Sequence, residues 1–174
     1  DSFATANDVE LHASRGSGTP DEQTVTGDDE DEFDADLLEF DLEAEGSDIM
    51  VKDLEIELTA FGTGTEAEMV GDLMITCGDE DYSENVTGST VLFEDMDFTI
   101  DAGDTLTCMV SATMNEIDGT DFVEGDSITA DLTVASIDAE DEEGDDVASG
   151  DLTGTANGYE QFFFSEGAVV DAFD

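Results

Sequence analysis

Apolar and polar residues alternate along much of this chain at the two-residue period of a strand with one face on a core. The clearest case sets Leu38, Phe40, Leu42 and Ala44 against Glu39, Asp41, Glu43 and Glu45. Ile49 and Val51, then Leu54, Ile56 and Leu58, alternate as well. Their parity shifts across Lys52-Asp53, which calls for a β-bulge or short turn. Further strands are predicted over 69–77 (Leu73, Ile75, Cys77), 91–93, 96–100, 106–114 and 128–137, each bounded by Gly or acidic turns. At the N-terminus, Phe3, Val9, Leu11 and Ala13 fall on one face of a strand, and Arg15-Gly16-Ser17-Gly18-Thr19-Pro20 then reads as a flexible joint. No window carries a convincing 3.6-residue period, so little helix is expected. Short strands at turn-punctuated intervals predict an all-β fold, an antiparallel β-sandwich of immunoglobulin-like or jelly-roll-like type with an extended N-terminal strand. The expected organisation is a donor strand and joint over 1–18, the sandwich over 19–157, and an apolar C-terminal strand over 158–174.

That last strand is the most apolar stretch. Phe162, Phe163 and Phe164 are consecutive, and Val169, Val170 and Phe173 follow. Consecutive large side chains on a strand must point to both faces. Either one Phe lies over a sheet edge, or the strand is buried on both sides, the second side against another subunit.

Charge changes the picture. Of 174 residues 50 are Asp or Glu, two are Lys or Arg and one is His, a formal charge of -48. Self-repulsion at that density favours disorder, yet 39% of the residues are hydrophobic, enough for a core. Molar salt reconciles the two: the Debye length is roughly 3 Å at 1 M and about 30 Å at 0.01 M. A salt-rich source is inferred, and the acidic runs at 28–31, 79–81 and 138–146 read as solvated loops, with calcium binding as the alternative. With two basic residues, nucleic-acid binding is excluded, and so is attraction to anionic membranes. No stretch approaches the roughly 20 apolar residues of a membrane-spanning helix.

Cys77 and Cys108 share inward parity and read as one disulfide, with two buried thiols as the alternative. Asn85-Val86-Thr87 is a glycosylation sequon. Asp79, Asp81 and Glu84 are the candidate calcium ligands, and no cofactor is required. The EF-hand spacing is not met around Asp138–Gly144. The single His12 beside Leu11 reads as a strand-surface residue, and no catalytic residue is assigned. With no leader and no initiating Met, the chain reads as an exported, processed protein.

From Thr19-Pro20 through Leu38–Glu45, Ile49–Leu58, Val91-Leu92-Phe93 and Phe98-Thr99-Ile100-Asp101-Ala102-Gly103-Asp104-Thr105 to Ala112, the chain resembles a β-sandwich repeat of prokaryotic cell-surface and S-layer-like proteins. The resemblance covers about 19–157 and implies architecture and a surface location. The expected function is a structural subunit of an extracellular filament, pilus or surface sheet. Its partners would be identical subunits, joined head to tail by donor-strand addition through Phe3, Val9, Leu11 and Ala13, with the C-terminal apolar strand as acceptor or second contact. The alternative is a monomeric, calcium-stabilised surface adhesin or carbohydrate-binding module.

Overall fold

A computed structural model describes residues 9–165. The strands are β1 (Glu10–Arg15), β2 (Gln23–Gly27), β3 (Phe33–Glu45), β4 (Ile49–Phe61), β5 (Val70–Cys77), β6 (Glu80–Asn85), β7 (Thr90–Phe93), β8 (Phe98–Ile100), β9 (Thr105–Met114), β10 (Ser127–Leu132), β11 (Asp138–Asp141), β12 (Leu152–Asn157) and β13 (Gln161–Ser165). Helix is confined, among the described residues, to one turn, α1 (Glu66–Met69), and two 3-10 turns at Val134–Ser136 and Ser149–Asp151. A Thr65–Glu68 capping box starts α1.

The strands form two layers. One runs β12-β1-β3-β9-β5-β6. The other is built on β4, which carries β7 and β8 along one side and β10 and β11 along the other, and it continues through β13 to β2. Alternation turns Phe40 and Leu42 of the first layer and Leu54, Ile56 and Leu58 of the second into one shared core, and all five are buried. The parity shift in β4 is a bulge: Asp138 faces Asp53 and Ala139 faces Val51, so Lys52 has no opposite number on β11.

The sandwich is not wholly antiparallel. β1 pairs with β12 in parallel, Leu11 opposite Leu152 through Ser14 opposite Thr155. β2 pairs in parallel with β13, Gln23 opposite Gln161 through Gly27 opposite Ser165. Because β10 is antiparallel to both β12 and β13, the runs 10–27 and 152–165 travel side by side in one direction and change layers together. Parallel neighbours need a long crossover, and here the rest of the domain supplies it. Glu10 therefore lies at one pole of the sandwich, and Gly27 and Ser165 lie at the other.

Two sequence expectations need correction. The segment expected to be a flexible joint is a fastened corner. Gly16 N–H donates to Glu39 O at 2.7 Å, and Gly18 N–H donates to Glu39 Oε1 at 2.6 Å. Thr19 Oγ1 donates to Glu39 O at 2.8 Å and accepts from Glu39 N–H at 3.0 Å. A Cβ on Gly16 or Gly18 would stand 2.5 or 2.7 Å from the Glu39 side chain. These glycines serve close approach rather than chain freedom. The acidic run 138–146, expected to be loop, supplies β11 and a tight turn in which Asp141 Oδ1 accepts the N–H groups of Glu143 and Asp145 at 2.9 and 3.0 Å.

The outward face of the first layer shows how so many acids are accommodated. On β3, Asp34, Asp36, Asp41 and Glu43 lie opposite Thr113, Ser111, Thr107 and Thr105 of β9. Thr107 Oγ1 donates to Asp41 at 2.7 Å and Ser111 Oγ to Asp36 at 2.9 Å. Hydroxyls stand where a less acidic protein would place lysines.

Candidate interaction surfaces

The donor-strand residues come first. Leu11 and Ala13 are buried in the core of their own chain, and Val9 packs against that core half-buried. β1 has a partner on each side, β3 and β12, so it has no open edge. Arg15 closes its end: Nη1 donates to Asn157 O at 3.1 Å, and the guanidinium lies 4.4 Å from the centre of the Tyr159 ring. His12 Nδ1 lies 2.9 Å from Thr153 Oγ1 on the adjacent strand, a strand-surface position. The expectation of a free N-terminal strand is therefore not met. Backbone pairing on both sides and burial of Leu11 and Ala13 outweigh whatever freedom a Gly-Ser-Gly corner confers. Phe3, Val169, Val170 and Phe173 lie outside the described residues.

The three phenylalanines of β13 do point to both faces. Phe163 is fully buried, 5.9 Å from the Phe33 ring and 5.7 Å from Phe122. Phe162 and Phe164 lie half-buried on the outward side. Along that side a row runs from Phe61 through Ser127 and Phe162 to Thr24. Phe61 is 46% exposed. Phe61, the last residue of β4, stands just before Gly62-Thr63-Gly64 and carries no local sequence signal of its own.

A buried carboxylate frames this pole. Asp126 Oδ1 accepts Thr63 N–H at 2.9 Å, while Oδ2 accepts Gly64 N–H and Val123 N–H, each at 3.0 Å. Its main chain takes part too: Phe163 N–H donates to Asp126 O at 3.0 Å. One residue thus ties the end of β4, the start of β10 and the middle of β13 together. Gln161, also fully buried, donates from Nε2 to Asp21 O at 2.9 Å and so seats the approach to β2.

The Cys77–Cys108 disulfide is formed. The two residues lie directly opposite on β5 and β9 and face the core. Asp79 sits in the β5–β6 turn, and Asp81 and Glu84 are on β6, three positions apart and hence on opposite sides of the strand. The structure does not gather them. Among the described residues no group of three or more His, Cys, Asp or Glu side chains is placed to hold a metal ion. Asn85 ends β6, exposed, with its Nδ2 donating to Asp72.

Shallow hollows lie between acidic loops, one of them about 310 Å³ and lined by Glu32, Glu68, Asn115, Glu116, Asp118 and Asp121. Asp118 accepts the N–H groups of Thr120, Phe122 and Asp121, which hold its carboxyl below the usual value. Asp131, partly buried and opposite Glu57, is pushed up by burial, with the neighbouring carboxylate adding to the shift. Lys52 Nζ lies 3.3 Å from Glu140 Oε2, and that hydrogen bond raises the ammonium pKa. Tyr82 is raised chiefly by burial, and its hydroxyl donates to Met96 O at 3.2 Å. No described helix is long and apolar enough to cross a membrane.

No protein-family model matches the chain, and no curated protein matches it in sequence. Among solved structures it is similar to a cohesin module of a family 33 glycoside hydrolase from Clostridium perfringens, at 16% identity and a TM-score of 0.43 over 91% of this chain and 99% of that one. A type I cohesin–dockerin complex from Clostridium thermocellum gives 9% identity and 0.37 over 89% and 95%. The collagen-binding subdomain of the Enterococcus faecalis surface protein ACE gives 9% and 0.29 over 87% and 95%. The described strands define an all-β sandwich domain. Likeness at this level carries no activity or partner across.

Proposed function

We propose that this chain is a structural subunit of an extracellular filament or surface sheet, built from copies of itself and adapted to high salt. The observation that supports this best is the parallel course of the first and last described strands, which puts Glu10 and Ser165 at opposite poles. A subunit entered at one end and left at the other is suited to head-to-tail contact, and such contacts propagate instead of closing. In a fibre grown by strand addition, the slot between β3 and β12 receives β1 of the preceding copy, and the Gly16–Thr19 corner is what opens. Asn85, exposed on its sequon, carries a glycan in this reading, at the cost of its bond to Asp72.

The test images the purified chain at low salt and above about 1 M salt, where surface carboxylates are screened. Filaments or sheets are expected at high salt, and a monodisperse monomer at every salt concentration refutes the reading. A Leu11→Cys/Ala44→Cys pair, at positions directly opposite on β1 and β3, locks β1 into its own sandwich. Growth should then stop in oxidising buffer and resume on reduction. Growth that continues regardless shows assembly without strand exchange.

A further inference from the structure

Among the described residues β2 pairs with β13 and with no other strand. Alternate N–H and C=O groups of a strand paired on one side point away from the sheet, and such an edge invites another strand unless charge, proline or a bulge guards it. At the far side of the sandwich the edge strand β6 is guarded by Glu80, Asp81 and Glu84. β2 is not: its sequence is Gln23-Thr24-Val25-Thr26-Gly27, with no charge, in a chain of 50 acids. Thr24 and Thr26 are exposed, and they lie beside Phe162 and Phe164.

Building on the self-assembly reading above, we infer that β2 pairs antiparallel with β2 of a second copy about a two-fold axis at Val25. The sequence fits itself. Pairing about Val25 sets Thr24 opposite the second copy's Thr26, a favourable cross-strand match, and aligns the Phe162–Thr24 row of one copy with the Thr26–Phe164 row of the other. No other occupant is specified so closely by this near-palindrome, and a basic partner would be drawn to the acidic faces instead. The same axis sets Glu22 opposite Asp28 and Asp21 opposite Asp29, once at each end. Those like-charge pairs hold the edges apart at low salt and are screened at high salt. The contact is isologous and closes on itself, so it joins two chains laterally and is separate from the pole-to-pole contact.

The test uses the full chain, with mass measured by light scattering across a salt series. The wild type should pass from one chain to paired chains, or to larger assemblies made of pairs, as salt rises. Val25→Cys should form an intermolecular disulfide at high salt and not at low salt, because directly opposite antiparallel positions lie within the span of a disulfide. Thr24→Asp/Thr26→Asp places two further pairs of carboxylates face to face at the centre of the contact and should abolish pairing at the salt concentration where the wild type first pairs, with an unchanged urea midpoint showing that the fold survives. Glu22→Gln/Asp28→Asn should lower the salt needed for pairing. Wild-type self-association that persists in Thr24→Asp/Thr26→Asp, without cross-linking of Val25→Cys, overturns the β2 contact and leaves the assembly reading intact. A wild type that stays single at all salt concentrations overturns both.

Discussion

Replacing Asp126 tests whether the pole bearing the phenylalanines is held as the geometry says. Its carboxylate takes three main-chain N–H groups, from Thr63, Gly64 and Val123, at 2.9 to 3.0 Å, and the residue is 2% exposed. Hydrogen bonds to a charged group contribute about 1.5–3 kcal/mol each, and a buried donor left without a partner costs about 1–3 kcal/mol. In Asp126→Ala the Gly64 N–H is stranded in the interior, whereas those of Thr63 and Val123 are partly buried and reach some water. The expected loss is about 3–5 kcal/mol, a large share of the roughly 5–15 kcal/mol that holds a domain together. Asp126→Asn keeps the shape but turns an amide NH2 toward at least one of the three donors, so about 2–3 kcal/mol is expected. Gly62, at φ +113°, lies against this carboxylate: a Cβ there would stand 2.1 Å from Asp126 Oδ1. The loop therefore has little room to find a new arrangement. The assay is urea unfolding followed by far-ultraviolet circular dichroism at fixed high salt, with the slope compared to confirm that only stability has changed. A loss below about 1 kcal/mol for Asp126→Ala would refute the reasoning, because three charged hydrogen bonds cannot vanish from a buried site that cheaply.

Two further predictions concern charge and covalent closure. Asp131 lies opposite Glu57, and burial holds its carboxyl above 3.8, the ordinary value. The folded form thus binds this proton more tightly than the unfolded form. Stability owed to this group is full below pH 3.8 and falls as pH rises through the raised folded value. Asp131→Asn, which can still accept Gly158 N–H, should gain about 0.5 kcal/mol at pH 7, lose that gain near pH 3, and show less of it at high salt. An equal gain at both pH values counts against the charge account. For the Cys77–Cys108 bond, spanning 31 residues, the chain-entropy estimate is about 4 kcal/mol. Cys77→Ala/Cys108→Ala should therefore unfold at a clearly lower urea concentration, and the wild type under reducing conditions should move the same way. An unchanged midpoint would mean the β5–β9 ladder already holds the loop without the bond.

What the sequence revealed follows from where alternation is clean. β3, β4 and β9 were legible because each has one face on the core, and the parity shift at Lys52 was legible as a bulge or short turn, between which the continuous pairing of β4 with β11 decides for the bulge. β2, β6 and β11 were not legible, and Glu80 and Asp81, expected in a loop, lie on β6. All three are short edge strands with few apolar residues, and their composition is that of turns. The parallel pairings were invisible because nothing local distinguishes a strand that will meet its neighbour 141 residues on, as Leu11 meets Leu152. The Gly-Ser-Gly corner misled for a related reason. Glycine marks both freedom and close approach, and only the position of Glu39 decides between them. Phe162, Phe163 and Phe164 were correctly assigned to two faces, whereas Phe61, which joins them from β4, carried no local signal.

The surface chemistry links fold and proposed function. A sheet whose outward residues are mostly carboxylates would normally be neutralised by lysines, and this chain has Lys52 and Arg15 alone. Lys52 is committed to Glu140 and Arg15 to Asn157 and Tyr159. Neutralisation must then come from dissolved cations, while local geometry is kept by hydroxyls such as Thr107 and Ser111, which donate to carboxylates without changing their charge. Such a surface repels copies of itself wherever carboxylates face one another, and the repulsion reaches furthest in dilute salt. Contact between copies is consequently favoured where carboxylates are missing. Among the described residues the open edge of β2, flanked by Asp21, Glu22, Asp28 and Asp29, is such a place, and its own flanks make the contact conditional on salt. In the assembly proposed above, the same charge would disperse the subunit in dilute salt and confine its contacts to a few uncharged strips.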